Sequence, residues 1–152
     1  MPSLQLKIPP VALALIFAGV MAAVAYSLPG AVPVPFKQVI AILLVLAGIT
    51  VAVAGVLAFR RHKTTVNPLT PEQSSALVAT GIYRVSRNPM YLGFLLILSG
   101  WAAFLANIVA VLLLPLFVVY MNRFQILPEE QALAQRFGPS FAVYCQSVRR
   151  WL

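Results

Sequence analysis

The feature that most constrains this chain is a run of thirty-one residues, Met90 to Tyr120, without one charged side chain. As one straight helix it would extend ~46 Å at 1.5 Å per residue, too long for a hydrocarbon core of ~30 Å unless strongly tilted. Ala106-Asn107 near its middle and Pro115 beyond it are placed to break it. The reading is a hairpin of two shorter helices, 90–105 and 107–125; one kinked helix is the alternative. Two more apolar runs precede it. The first, 10–28, carries no charge and has the length of one crossing. It is read as a retained helix rather than a cleaved signal, because it is long for a signal core and Ser27-Leu28-Pro29 is a poor cleavage pattern. Three prolines and a glycine between Pro29 and Pro35 then force a tight turn. The second run, 36–59, holds only Lys37 at its mouth, and Gly48, Gly55 and several alanines give it small residues for close helix packing.

With 61% hydrophobic and 9% charged residues the chain is unlike a soluble domain, where about a quarter are charged. The expected fold is a single all-α integral membrane domain: about four transmembrane helices, a loop over 60–89, and amphipathic tail helices over 128–152. The formal charge of +8 would suggest nucleic acid in a soluble protein. Here it marks topology, and no nucleic-acid partner is expected. Four crossings put Lys7, Arg60, Arg61, Lys63, Arg84, Arg87 and every later arginine on one side, against Lys37 alone on the other. That bias makes both termini cytoplasmic.

The densest chemistry lies in Gly81–Gly93, at the edge between the basic loop and the long apolar run. Pro89 suits the first turn of a helix, since it needs no amide there. Asn88 before it reads as the N-cap, its side chain accepting from a free amide. Such a helix start, with Arg84 and Arg87 beside it, suits an anionic or carboxylate-bearing ligand. The plainer alternative is a capped helix with basic interfacial anchors. In the tail, Pro128-Glu129-Glu130 reads as a helix opening, Gly138-Pro139 as a break, and Arg149-Arg150-Trp151-Leu152 as a membrane-interface anchor. His62, the one histidine, has no cysteine or carboxylate cluster near it, so no metal site is expected. The lone Cys145 is read as packing.

Leu77-Val78-Ala79-Thr80-Gly81-Ile82-Tyr83, then Arg87-Asn88-Pro89-Met90-Tyr91-Leu92-Gly93, then Glu129-Glu130 with Leu133, Phe137-Gly138 and Tyr144 resemble the isoprenylcysteine carboxyl methyltransferase family, which is related to the phospholipid N-methyltransferases. The resemblance runs from about Thr64 to the C-terminus. It implies a membrane-embedded methyltransferase using S-adenosyl-L-methionine at the cytoplasmic face, with a lipophilic acceptor arriving from the bilayer. By the same resemblance Leu77, Val78, Tyr83, Asn88, Pro89, Met90, Tyr91 and one of the paired Glu129 and Glu130 would contact the cofactor, and Arg123 would face the acceptor; Arg87 joins the cofactor set by its charge. The prenylcysteine enzymes have histidine where this chain has Asn88; Asn-Pro-Met-Tyr is closer to the phospholipid form. The acceptor is expected to enter between the third and fourth helices, with Gly93 near that entrance.

The residues suit this chemistry. A glutamate fits the cofactor's amine or ribose diol, and Arg87 or the amides at Asn88-Pro89 fit its carboxylate. Tyr83 and Tyr91 could flank the adenine or the sulfonium. The competing classes are a membrane reductase using a nicotinamide cofactor and a small non-enzymatic membrane protein in which the glutamates merely cap a helix.

Overall fold

A computed structural model describes residues 6–61 and 77–152 of the chain. His62, Lys63, and the Asn67-Pro68 and Thr70-Pro71-Glu72 turn signals lie outside the described residues. The described part is all-helical: α1 Pro10–Ser27, α2 Lys37–Arg61, a 3₁₀ turn Gly81–Arg84, α3 Pro89–Leu105, α4 Ile108–Val111, α5 Leu113–Met121, a π segment Asn122–Ile126, α6 Leu127–Phe137 and α7 Pro139–Ser147. Helices α1 and α2 and the rod Ile108–Phe137 are long and apolar enough to cross a membrane. Helix α3, at 17 residues, reaches the lower limit for a crossing. The protein is a multi-pass membrane protein.

The long uncharged run reverses at Ala106-Asn107. Ala106 adopts a left-handed conformation (φ 49°, ψ 47°) and ends α3. Asn107 then caps α4, its Oδ1 accepting from the Val109 and Ala110 amides at 2.9 and 3.4 Å. This turn is knitted to the proline-rich turn after α1. Val32 N–H donates to the Ala106 carbonyl and Ile108 N–H to the Gly30 carbonyl, both at 2.9 Å. At the opposite end Leu6 N–H donates to the Phe124 carbonyl at 3.1 Å, and Gln125 Nε2 to the Ile8 carbonyl at 2.7 Å. Ile108 therefore sits at one end of the bundle and Phe124 at the other, so α3 and the following rod form a hairpin.

That rod differs from two separate elements opening at Pro128. Its helix runs on from Met121 through the π segment into α6, where Leu127 N–H bonds back to the Asn122 carbonyl. The reason is local. Pro128 has no amide to give the Phe124 carbonyl four residues earlier, so the helical ladder must rearrange there. The amide of Leu6 takes that carbonyl instead. Pro115 acts in the same way on the Val111 carbonyl, and α4 ends at Val111. At ~1.5 Å per residue the thirty-residue rod is ~45 Å long, so α6 extends beyond the hydrocarbon core.

Helices α2 and α3 are in the closest contact. A Cβ built on Gly93 would lie 2.6 Å from the Gly48 carbonyl oxygen, and one on Gly100 would lie 2.8 Å from that of Ala41. Gly93 thus faces α2 and does not border an entrance beside the fourth helix. Gly93→Val is expected to lower the thermal midpoint in detergent, by overpacking worth about 1–3 kcal/mol. An unchanged midpoint would mean the two helices separate without loss. The main core joins Leu13 and Met21 of α1, Tyr91, Leu98 and Ala102 of α3, and Ala110, Phe117, Met121 and Ile126 of the rod. A second, smaller core lies at the basic end, where Ala58, Val78, Tyr83, Phe141 and Tyr144 pack together.

Candidate active site

The start of α3 is held by the C-terminal residues. Asn88 has φ −129° and ψ 56°, and its side chain makes no capping bond. The expected N-cap role is therefore corrected. Asn88 Nδ2 donates to the Arg150 carbonyl at 2.9 Å, while its own N–H donates to Ser86 Oγ at 3.1 Å. Arg87 N–H donates to the Arg149 carbonyl at 3.0 Å. The segment after α7 is thus laid along the 86–88 stretch as a strap. The reason is that Val148 leaves the helix in an extended conformation, freeing the carbonyls of Arg149 and Arg150 to face the motif.

Arg87 is the hub. Its Nη1 donates to the Cys145 and Val148 carbonyls at 2.9 and 3.1 Å, which are orphan acceptors at the end of α7. Its Nη2 reaches Glu130 Oε1 at 2.7 Å. Arg150 grips the same carboxylate at both oxygens, Nε to Oε1 at 3.1 Å and Nη2 to Oε2 at 2.6 Å. This bond to Glu130 pushes the Arg150 guanidinium up from its ordinary value. The Nε–H of Arg87 is buried and has no partner among the described residues. A buried guanidinium donor without an acceptor is costly, and an anionic ligand group there would remove the cost.

Glu129 has a different environment. It is half-buried, as Glu130 is, but its Oε1 accepts a hydrogen bond from the Tyr91 hydroxyl. The π segment and Pro128 fix where the two neighbouring carboxylates emerge, so Glu130 meets the strap and Glu129 meets α3. The two glutamates, indistinguishable in sequence, are separated by their partners.

The wall of the site is aromatic. Tyr83 is buried, packs edge-on against Phe59 with ring centres 5.3 Å apart, and gives its carbonyl to the Tyr144 hydroxyl at 2.7 Å. Burial pushes both phenols well above their ordinary value, so each stays a neutral donor at physiological pH. Burial also pushes the Cys145 thiol up, which disfavours the thiolate and agrees with a packing role. Leu77 and Val78 belong to this same cluster. Arg123 is exposed on the π segment, and no described hydrogen bond or ion pair ties it to the cluster.

The phospholipid methyltransferase family model matches residues 36–140, more than half of the chain. The chain belongs to the phospholipid methyltransferase family. It is 46% identical over 63 residues to an uncharacterized protein of Haemophilus influenzae, covering 41% of this chain and all of that relative. It is 32% identical over 110 residues to protein-S-isoprenylcysteine O-methyltransferase A of Arabidopsis thaliana, covering 70% of this chain and 54% of the plant protein. The match thus spans about half the length of that plant relative. No solved structure matches.

Beside the site of this phospholipid methyltransferase family member lies a cavity of about 490 Å³ with a mostly apolar lining. Its walls are Pro10 and Val11 of α1 and Ala52 to Arg60 of α2, and its floor holds Met90, Tyr91 and Phe94 of α3. Its lining comes from α1, α2 and α3. Ser86, Tyr144 and Arg150 were not singled out from the sequence as site residues. Tyr144 stood only within a motif, and Arg150 looked like an interfacial anchor. The pairing of Arg150 with Glu130 joins residues twenty positions apart across a helix break, and no local pattern signals it.

Proposed function

We propose that this chain is an S-adenosylmethionine-dependent methyltransferase that acts on a lipophilic acceptor at the membrane face. The observation that carries the reading is the juxtaposition at Tyr91: its hydroxyl bonds Glu129, while the same residue lines a mostly apolar cavity between α1 and α2. One residue thus stands between a carboxylate and an apolar cavity, as a reaction between a water-soluble donor and a lipid requires. Family membership and the plant relative support the same class.

The residues present fit the cofactor. Glu129 would hold its amino group or ribose diol. The unpartnered Nε–H of Arg87 would hold its carboxylate. Tyr83, Leu77 and Val78 would form an apolar wall for the adenine, and Asn88, Pro89 and Met90 would border it at the start of α3. Glu130, engaged by Arg87 and Arg150, would act by fixing Arg87 rather than by direct contact. When bound, the cofactor supplies a methyl group already activated on a sulfonium. The protein therefore needs no nucleophile of its own, and its contribution is alignment of the two partners, which can lower a barrier by about 7–11 kcal/mol. Calorimetry of the purified protein with S-adenosylmethionine and with NADPH tests this. Binding of the first alone is expected. Binding of NADPH alone would favour a reductase, and binding of neither a non-enzymatic protein.

The site end is proposed to face the cytoplasm. Lys7, Arg60, Arg61, Arg84 and Arg87 gather there, whereas Lys37 lies at the other end. In a Cys145→Ser background, a cysteine at exposed Phe36 should react with an impermeant maleimide on intact cells, and one at exposed Val85 only after lysis. The reverse pattern would invert the protein.

A further inference from the structure

We propose that Gln125 is a positioning residue for the methyl-transfer site: together with the Leu6 amide it ties the π segment to the chain ahead of α1 and so keeps Glu129 facing Tyr91. The inference rests on the methyltransferase reading and names a residue outside the cofactor contacts.

Gln125 does not match its surroundings. It is fully buried, on the rod between the core residues Met121 and Ile126. Its Oε1 has no partner among the described residues. An unpaired buried amide oxygen costs stability, and leucine or methionine would fill the space without that cost. What Gln125 has and they lack is its Nε2, which donates to the Ile8 carbonyl at 2.7 Å. That carbonyl is free to accept, because the α1 ladder starts one residue later, with Leu13 N–H on the Pro9 carbonyl at 3.0 Å.

The bond lies inside the wide turn of the rod. There the Leu127 amide reaches back to the Asn122 carbonyl, five residues rather than four. A π turn of this kind is equivalent to one inserted residue. Closing it to an ordinary turn would rotate everything after it by about 100° around the rod axis. Pro128 would then stand where Glu129 now meets Tyr91, and Glu129 where Glu130 now meets Arg87 and Arg150. One carboxylate would still reach the arginines, but none would face Tyr91.

Pro128 does not by itself choose between these registers. It removes an amide, which a simple kink accommodates as well as a π turn does. The chain ahead of α1 makes the choice. Leu6 N–H takes the Phe124 carbonyl at 3.1 Å and Gln125 takes the Ile8 carbonyl, so two adjacent residues of the wide turn are held by one short arm. The arm is itself constrained. Leu6 has φ 54°, a left-handed conformation that a leucine holds only where its surroundings enforce it.

The test is a pair of double-mutant cycles on the full chain in nanodiscs. S-adenosylmethionine affinity is measured by calorimetry for wild type, Gln125→Met, Glu129→Gln and the double variant. Gln125→Met is expected to weaken binding about tenfold, because the carboxylate no longer faces the site. In the Glu129→Gln background it should cost nothing further. A merely structural role would give additive losses, so additivity would overturn the proposal, as would unchanged affinity in Gln125→Met. Leu6→Pro removes the amide on Phe124 and cannot adopt a positive φ. It should reproduce the same pattern, so a folding defect in one variant leaves the other to decide. Leu6→Gly keeps the amide and tolerates the positive φ, and should bind like wild type. A loss equal to that of Leu6→Pro would overturn the proposal. The second cycle needs no cofactor. Tyr91→Phe and Glu129→Gln should be coupled in thermal unfolding of the wild-type background and uncoupled in that of Gln125→Met. Equal coupling in both backgrounds would overturn the proposal. Absent S-adenosylmethionine binding with the expected coupling pattern would instead sink the methyltransferase reading and leave the register standing.

Discussion

Arg87→Ala is expected to release the C-terminal strap from the start of α3 while the membrane helices stay folded. The change removes the donor to two carbonyls at the end of α7 and one of the two cations on Glu130. Arg87 and Glu130 are 13% and 17% exposed, so solvent can replace little of what is lost. Arg150 still neutralises Glu130, so the loss is that of hydrogen bonds made by a charged group, about 1.5–3 kcal/mol. Amide exchange should rise by orders of magnitude over Cys145–Leu152 and stay slow in α2 and α3. Arg87→Lys should restore little, because an ammonium cannot serve two carbonyls and a carboxylate with the geometry of a planar fork. If amide protection of the strap is unchanged in Arg87→Ala, the strap is held by the packing of Phe141 and Tyr144 and by the bonds of Asn88 Nδ2 and the residue-87 amide to it, without the guanidinium.

The second large effect concerns the paired glutamates. Glu129→Gln is expected to weaken S-adenosylmethionine binding by the loss of one charged hydrogen bond, about 1.5–3 kcal/mol or ~10- to 150-fold in affinity. The strap should stay protected, because Glu129 bonds Tyr91 and not the strap. Glu130→Gln should show the opposite balance: a loosened strap, with cofactor affinity falling only as far as Arg87 is misplaced. Titration calorimetry and amide exchange on both variants separate the two roles. Should Glu130→Gln lose more affinity than Glu129→Gln with its strap intact, the assignment is reversed. Tyr91→Phe in both backgrounds completes a double-mutant cycle, in which coupling to Glu129 and not to Glu130 is expected.

Part of this protein is written into local sequence. Uncharged runs of membrane-spanning length have to be helices in a bilayer, because only a helix satisfies its own backbone there. Pro10 and Pro89 place helix starts, and Ala106-Asn107 reverses the chain because Asn107 offers its own cap. Gly48 and Gly55 already announce a close helix partner, whereas only the structure shows that Gly93 is the residue Gly48 meets. These features depend on neighbours within a turn or two, so residue type and spacing carry them.

The site depends on the tertiary structure. Asn88 looked like a cap because an asparagine before a proline usually is one, but a strap sixty residues later supplies a better acceptor for its amide. Glu129 and Glu130 have the same side chain, and only the helix phase set by the π segment sends one to Tyr91 and the other to Arg87 and Arg150. The apolar groove exists because α1 and α2 both pack on α3 and leave space between themselves. Sequence determines which segments must be helices, since that follows from backbone bonds closed within four residues. Which side chains meet across them follows from helix phase and packing, and those are properties of the assembled bundle.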